Sequence, residues 1–64
     1  MAIGEKIKEY RVKKGLTQQE LADELGYERS TIAKWESGAL IPLATSVGAI
    51  AKTLKISVNK LYES

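Results

Sequence analysis

The 64-residue sequence contains no cysteine and no histidine. Without cysteine the chain has neither a disulfide nor a thiolate, and without histidine it lacks the commonest metal ligand and general base. A domain of this size buries only about 60% of the surface of its unfolded chain, which leaves no room for an enclosed substrate cavity. We therefore expect no enzyme, no cofactor and no metal site, and a fold held together by packing alone.

Long apolar runs are also absent. The first apolar residues alternate with charged ones such as Glu5, Lys6 and Lys8, unlike a signal peptide, and no run approaches membrane-spanning length. We expect a cytoplasmic protein with no membrane contact. The net charge of +2 permits nucleic-acid binding without arguing strongly for it. No linker, repeat or low-complexity tract divides the chain, so we expect one domain over residues 1–64.

Apolar residues recur at helical spacing in five segments, and no segment alternates with the period of a strand for long enough to predict one. Thr17 and Glu20 form a capping box, Ser57 is a good N-cap, and Gly15 and Gly26 supply the left-handed residue that commonly ends a helix. The sequence therefore predicts an all-α fold. The first helix is expected over about residues 3–14, and the second follows the Thr17 cap and stops at Gly26. The third is expected from around Arg29 to near Gly38. The fourth carries the apolar repeat over residues 44–54, and a last short turn over residues 58–62 carries Val58, Leu61 and Tyr62.

A break between Leu25 and Arg29 separates the second and third predicted helices. Short helices joined by a three- or four-residue turn containing glycine cross at a steep angle. Ala22 is small enough for the two helices to approach closely, Gly26 can take a positive φ at no steric cost, and Ile32 can lock the third helix onto the second. The break is either such a fixed corner or a flexible joint.

The segment QQELADELGYERSTIAKWES, residues 18–37, resembles the helix-turn-helix of the Cro and phage cI repressor type, the Xre-like family. The preceding KKGLTQ and the tail LKISVNKLY also fit, so the resemblance spans nearly the whole chain. It implies a compact five-helix, lambda-repressor-like DNA-binding fold in which the second and third helices form the helix-turn-helix. The residues that carry the resemblance include Leu21, Ala22, Leu25, Gly26, Ile32, Trp35, Ser37, Gly38 and Pro42.

The third helix has a face that points away from its core side. At about 100° per residue, and with the core direction between Ile32 and Trp35, this face carries mostly small side chains. Small side chains suit a helix that enters a major groove, because bulk would hold it away from the base edges. The alternative is the solvated face of an ordinary surface helix. With the support of the resemblance, we predict base contacts by Arg29, Ser30, Thr31, Ala33 and Lys34.

Two helix N-termini are predicted to contact phosphate. At the start of the second helix, Thr17, Gln18 and Gln19 combine unsatisfied backbone N–H groups, a positive dipole end and amide side chains. The alternative there is helix capping alone, but the resemblance implies a backbone-contacting glutamine at Gln18. The first amides of the fourth helix, near Thr45, form a second candidate, and Ser37 is also assigned to phosphate.

Arg11 and Glu36 are predicted to form a structural ion pair. Each lies about 70° from the centre of the apolar face of its helix, at the edge of the core where the first and third helices meet. Members of the family often pair an arginine and a glutamate there. The alternative is two independent surface charges.

Some residues depart from the family pattern. Glu28 stands where serine or threonine usually caps the recognition helix, and although a carboxylate can cap, phosphate would repel it. Leu40 and Ile41 lie in a loop that is often basic, and they either pack under the fourth helix or form a contact patch. Leu43 replaces a typical cap, and Lys55 replaces a frequent glycine, so the turn before the last helix is expected to differ.

The leading hypothesis is a transcriptional regulator that binds double-stranded DNA sequence-specifically. It is expected to be a repressor that binds an inverted repeat as a symmetric dimer. Its dimer surface is predicted at Val58, Leu61 and Tyr62, with closure of the monomer core as the alternative for Leu61. The competing hypothesis is an antitoxin or another protein-interaction module on the same scaffold, with Leu40 and Ile41 contacting the protein partner.

Overall fold

A computed structural model describes residues 3–63 and contains five α-helices. The helices are α1 (Ile3–Lys13), α2 (Gln18–Leu25), α3 (Arg29–Ser37), α4 (Ala44–Leu54) and α5 (Val58–Tyr62). The all-α prediction is confirmed, and each helix lies in the segment where it was expected, with α1 ending at Lys13 rather than Lys14. Within residues 3–63, no helix has both the length and the apolar character needed to cross a membrane.

Local signals determine most of the helix ends. Thr17 Oγ1 accepts a hydrogen bond from Glu20 N at 3.0 Å, and Glu20 Oε1 accepts one from Thr17 N at 2.8 Å, which confirms the capping box. Gly15 and Gly26 have φ of 74° and 79°. Lys55 also ends α4 with a positive φ of 60°, a conformation that costs a residue with a β-carbon about 1–2 kcal/mol.

The expected side-chain cap at Ser57 is wrong. Ser57 occupies the N-cap position of α5, but its side chain makes no capping hydrogen bond. Glu28 likewise precedes α3 without a side-chain cap. Since neither side chain holds its helix end, α3 and α5 depend on packing through the residues that they bury, such as Ile32 and Leu61.

One apolar core lies among the helices. α3 packs against α1 and α2, α2 also contacts α4, and α5 closes the core against α1 and α4. The side chains of Ile3, Tyr10, Leu16, Leu25 and Ile56 are partly buried around it. The buried apolar residues that form this core are Ile7, Leu21, Ala22, Ile32, Trp35, Val47, Ile50, Ala51, Leu54 and Leu61.

The crossing of α1 over α3 is unusually close at Gly4. A β-carbon at this residue would lie 1.9 Å from the carbonyl oxygen of Trp35 and 3.0 Å from the α-carbon of Glu36. Glycine is therefore required for the observed separation of the two helices, and α1 supports α3 from the side of the core.

Candidate nucleic-acid interface

Residues 26–28 form a defined turn between α2 and α3. Gly26 takes a left-handed conformation, with φ 79° and ψ 25°, and its N–H donates to the carbonyl of Ala22. The N–H of Tyr27 donates to the same carbonyl at 2.9 Å, and Glu28 is extended. Ala22 is buried between the helices. These backbone bonds favour the fixed corner over the flexible joint.

Tyr27 ties this corner to the rest of the domain. Its ring packs edge-on against Trp35, with ring centroids 5.1 Å apart. Its hydroxyl is hydrogen-bonded to Ser46 Oγ in α4 at 2.8 Å. Sequence reasoning missed both residues, although an aromatic residue directly after the turn glycine was a usable signal for Tyr27.

The outward face of α3 is only partly as predicted. Arg29, Ser30 and Lys34 are exposed, as is Ser37 at the end of the helix. Thr31 and Ala33 are half-buried. Base contact by any of these residues stays a prediction. The exposed side chains on this face are the cations Arg29 and Lys34 and the hydroxyl-bearing Ser30 and Ser37.

Arg11 and Glu36 form an ion pair that joins α1 to α3. Arg11 Nε lies 2.6 Å from Glu36 Oε2, and Nη2 donates to Glu36 Oε1 at 3.1 Å. The two side chains are only 10% and 4% exposed. Arg11 Nη1 also donates to the carbonyl of Leu16 at 2.7 Å. The arrangement is bidentate, and it adds a bond to the backbone between α1 and α2.

The side chain of Gln18 is bonded within the protein, which the sequence did not predict. Its Nε2 donates to Glu36 Oε1 at 3.0 Å, and its Oε1 accepts from Arg29 Nη1 at 3.2 Å. Gln18 therefore links the buried ion pair to the first residue of α3.

A surface depression lies beside the start of α2. Its volume is about 460 Å³, and three of the predicted phosphate contacts, Thr17, Gln18 and Gln19, line it together with Arg29. The depression therefore brings a helix N-terminus and a cation to one place, which is an arrangement suited to an anion.

The remaining predicted phosphate contacts lie elsewhere. The hydroxyl of Ser37 donates to the carbonyl of Lys34 at 3.1 Å and accepts from the N–H of Ala39 at 3.3 Å, so it closes the end of α3. Thr45 is exposed in the first turn of α4. Phosphate contact by either residue stays a prediction.

A second depression, of about 330 Å³, runs between α3 and the loop that precedes α4. Leu40, Ile41 and Leu43 are 45%, 69% and 73% exposed. Leu40 and Ile41 are therefore exposed rather than packed under α4, and protein contact through them stays a prediction. All eight lining residues are uncharged: Tyr27, Thr31, Trp35, Leu40, Ile41, Pro42, Leu43 and Ser46.

The predicted dimer surface needs one correction. Leu61 is 1% exposed and belongs to the core, so it cannot contact a partner. Val58 and Tyr62 are 40% and 60% exposed and remain available. The reason is that α5 has only five residues, and its single inward position must close the core against α1 and α4.

Over residues 3–63, no three acidic residues come together in a way that could hold a metal ion.

The chain matches the helix-turn-helix family over residues 7–61. It is 38% identical over 61 residues to the HTH-type transcriptional activator BcrR of Enterococcus faecalis, covering 95% of this chain and 30% of that protein. It is 34% identical over 61 residues to the cryptic phage CTXphi transcriptional repressor RstR of Vibrio cholerae serotype O1, covering 95% of this chain and 54% of that protein. The chain thus spans a third to about half of these two relatives.

Among solved structures, the fold is similar to that of SinR, a master regulator for biofilm formation crystallised in complex with DNA. The TM-score is 0.88 at 31% identity, with 95% of this chain and 98% of that chain covered. All three of these proteins are named as regulators.

Proposed function

The chain belongs to the helix-turn-helix family of the Cro/cI (Xre-like) type, and from this premise we propose that it is a sequence-specific DNA-binding transcriptional regulator. In this proposal α3 enters the major groove of double-stranded DNA. Arg29 and Lys34 donate to guanine O6 and N7, Ser30 bonds to a base edge, and methyl groups of Thr31 and Ala33 meet thymine methyl groups.

The observation that carries the proposal is the rigid presentation of α3. The turn at Gly26 has two hydrogen bonds to one carbonyl, and the ion pair of Arg11 and Glu36 ties the far end of α3 to α1. A helix fixed at both ends, with short side chains and two cations on its accessible face, suits insertion between two phosphate backbones. Phosphates are proposed to lie against Thr17, Gln18, Gln19, Ser37 and Thr45.

A symmetric dimer on an inverted repeat completes the proposal. One short helix reads only a few base pairs, and two copies about 34 Å apart multiply affinity and specificity. Val58 and Tyr62 are the proposed dimer contacts, since both are exposed. The proposed activity is repression in the cytoplasm. Repression is supported by the name of RstR, whereas BcrR is named an activator.

Selection of bound DNA from a random double-stranded pool tests this function. We expect an enriched inverted repeat whose half-sites are one helical turn apart. The Arg29→Ala, Lys34→Ala variant should lose the enrichment, whereas Lys8→Ala, Lys52→Ala, which removes the same charge from α1 and α4, should keep it. Failure of the unsubstituted chain to enrich any sequence, or retention of specific affinity without Arg29 and Lys34, would overturn the proposal.

The alternative is a protein-interaction module, such as an antitoxin, and one observation favours it. The exposed loop residues Leu40, Ile41 and Leu43 border an uncharged groove. Salt dependence separates the two functions. DNA affinity should fall by about 0.9 log units per neutralised phosphate for each tenfold rise in salt, whereas an apolar protein contact should change little.

A further inference from the structure

Glu28, directly before α3, carries a carboxylate at a position where the family usually has a capping serine or threonine. We infer that Glu28 is a specificity-determining residue, whose carboxylate accepts a hydrogen bond from the N4 amino group of a cytosine in the major groove. The inference rests on the proposed function. It adds a base contact that the resemblance to the family does not imply.

The carboxylate of Glu28 is not used inside the protein. Glu28 is exposed, and it occupies the N-cap position of α3 without a side-chain capping bond. The ion pairs formed within residues 3–63 do not include it. Arg29, the next residue, donates to Gln18 Oε1 at 3.2 Å instead. Both carboxylate oxygens of Glu28 are therefore available to a donor outside the chain.

The backbone of Glu28 is held in one place. Its φ of −83° and ψ of 153° are extended, and its carbonyl accepts from the N–H of Thr31 at 3.0 Å. The preceding residue, Tyr27, is anchored by its ring against Trp35 and by its hydroxyl at Ser46. The side chain of Glu28 therefore starts from a fixed point at the entrance to α3, and only its own torsion angles remain free.

DNA offers this carboxylate few acceptable partners. The N-terminal residues of a recognition helix contact base edges, so Glu28 enters the groove together with Arg29. Phosphate oxygens are acceptors of the same charge sign as the carboxylate. Among base edges in the major groove, only cytosine N4 and adenine N6 donate, and adenine also presents the acceptor N7 beside its amino group. Cytosine is therefore the base that satisfies the carboxylate without opposing it.

The same chemistry makes Glu28 reject other sequences. Guanine and thymine would place an acceptor oxygen against the carboxylate, and an unmatched charge at an interface disfavours the wrong partner. Repulsion from the phosphates lowers the affinity for every sequence, and only a site with the cytosine recovers part of that loss. Glu28 thus raises the ratio of specific to non-specific binding, the quantity that determines occupancy of a site among many competitors.

Base preferences of Glu28 variants test the inference. The unsubstituted chain should prefer cytosine by about 5-fold to 10-fold at a base pair next to the one whose readout is lost in Arg29→Ala. Glu28→Gln should change that preference to adenine, because a glutamine amide can pair with adenine N6 and N7. Glu28→Ser should lose the preference and bind all sequences more tightly. Thermal denaturation checks that both variants fold.

Glu24→Gln is the matched control. Glu24 is an exposed carboxylate on α2, so this substitution removes the same charge four residues earlier in the chain. Its base preferences should equal those of the unsubstituted chain. A change of preference in Glu24→Gln as large as that in Glu28→Gln would overturn the inference, because net charge alone would then account for the effect.

A modified base tests the contact at a single atom. N4-methylcytosine keeps its pair with guanine but carries a methyl group in place of the N–H that faces the major groove. At the preferred position it should weaken binding of the unsubstituted chain by about 5-fold to 10-fold and leave Glu28→Ser unaffected. An equal loss in both proteins would overturn the inference.

The outcomes separate this inference from the proposed function. If the unsubstituted chain has base preferences, but Glu28→Gln changes none of them, the inference is wrong and the function stands. The same holds if Glu28→Ser only raises the affinity for every sequence by one factor. If the unsubstituted chain has no base preference at any position, the proposed function is overturned, and the inference fails with it.

Discussion

Gly4 and Trp35 meet at a distance that no other residue type permits. A β-carbon at position 4 would lie 1.9 Å from the backbone carbonyl oxygen of Trp35, well inside any normal contact. The neighbour is backbone, so it cannot move aside as a flexible side chain would. The position of α1 against the proposed recognition helix therefore depends on the absence of a single methyl group.

Gly4→Ala should lower the free energy of unfolding by about 1–3 kcal/mol, because α1 and α3 must separate to admit the methyl group. Urea denaturation measures the change. Gly48→Ala is the matched control, since nothing lies within 4 Å of its added methyl and alanine favours a helix by about 0.8–1.0 kcal/mol. Similar effects of the two substitutions would contradict this account of the crossing.

Arg11→Ala and Glu36→Ala should each cost about 3–5 kcal/mol of stability, because each leaves a largely buried charge without its partner. The same denaturation experiment measures the loss. Lys13→Ala serves as the control, since it breaks a solvent-exposed pair with Glu9, and such pairs contribute little to stability. Losses as small as the control's would mean that the Arg11–Glu36 pair is screened by solvent.

Tyr27→Phe should lower stability by about 0.5–1.5 kcal/mol, because it removes the hydroxyl that is bonded to the buried Ser46. The ring and its packing against Trp35 are kept. Tyr62→Phe is the control at an exposed site, where the change should stay within about 0.5 kcal/mol. Equal melting temperatures for the two variants would show that the bond does not stabilise the corner.

Thr17→Ala should destabilise the domain by about 1 kcal/mol, since it removes an observed side-chain cap. Ser57→Ala removes a hydroxyl from the N-cap position of α5, where no capping bond exists. Its effect should therefore be smaller, within about 0.5 kcal/mol. A larger loss for Ser57→Ala than for Thr17→Ala would reverse the ranking expected from the structure.

Local sequence patterns predicted the five helices and the approximate position of each along the chain. The capping box at Thr17 and Glu20 and the glycine at position 26 act within a few residues, so their effects do not depend on the rest of the fold. Apolar spacing also identified the core-facing side of α3, because helical periodicity is a local property. The pairing of Arg11 with Glu36 was expected from spacing and resemblance together, and the pair is present.

Tertiary structure alone decided the contacts between side chains far apart in sequence. Gln18 and Glu36 are 18 residues apart, and Tyr27 and Ser46 are 19 apart. The lack of room for a β-carbon at Gly4 and the burial of Leu61 likewise depend on where other helices lie. A helical pattern shows which face points inward, but not how closely another helix approaches or which polar partner it brings. Those distances result from packing all five helices around one small core.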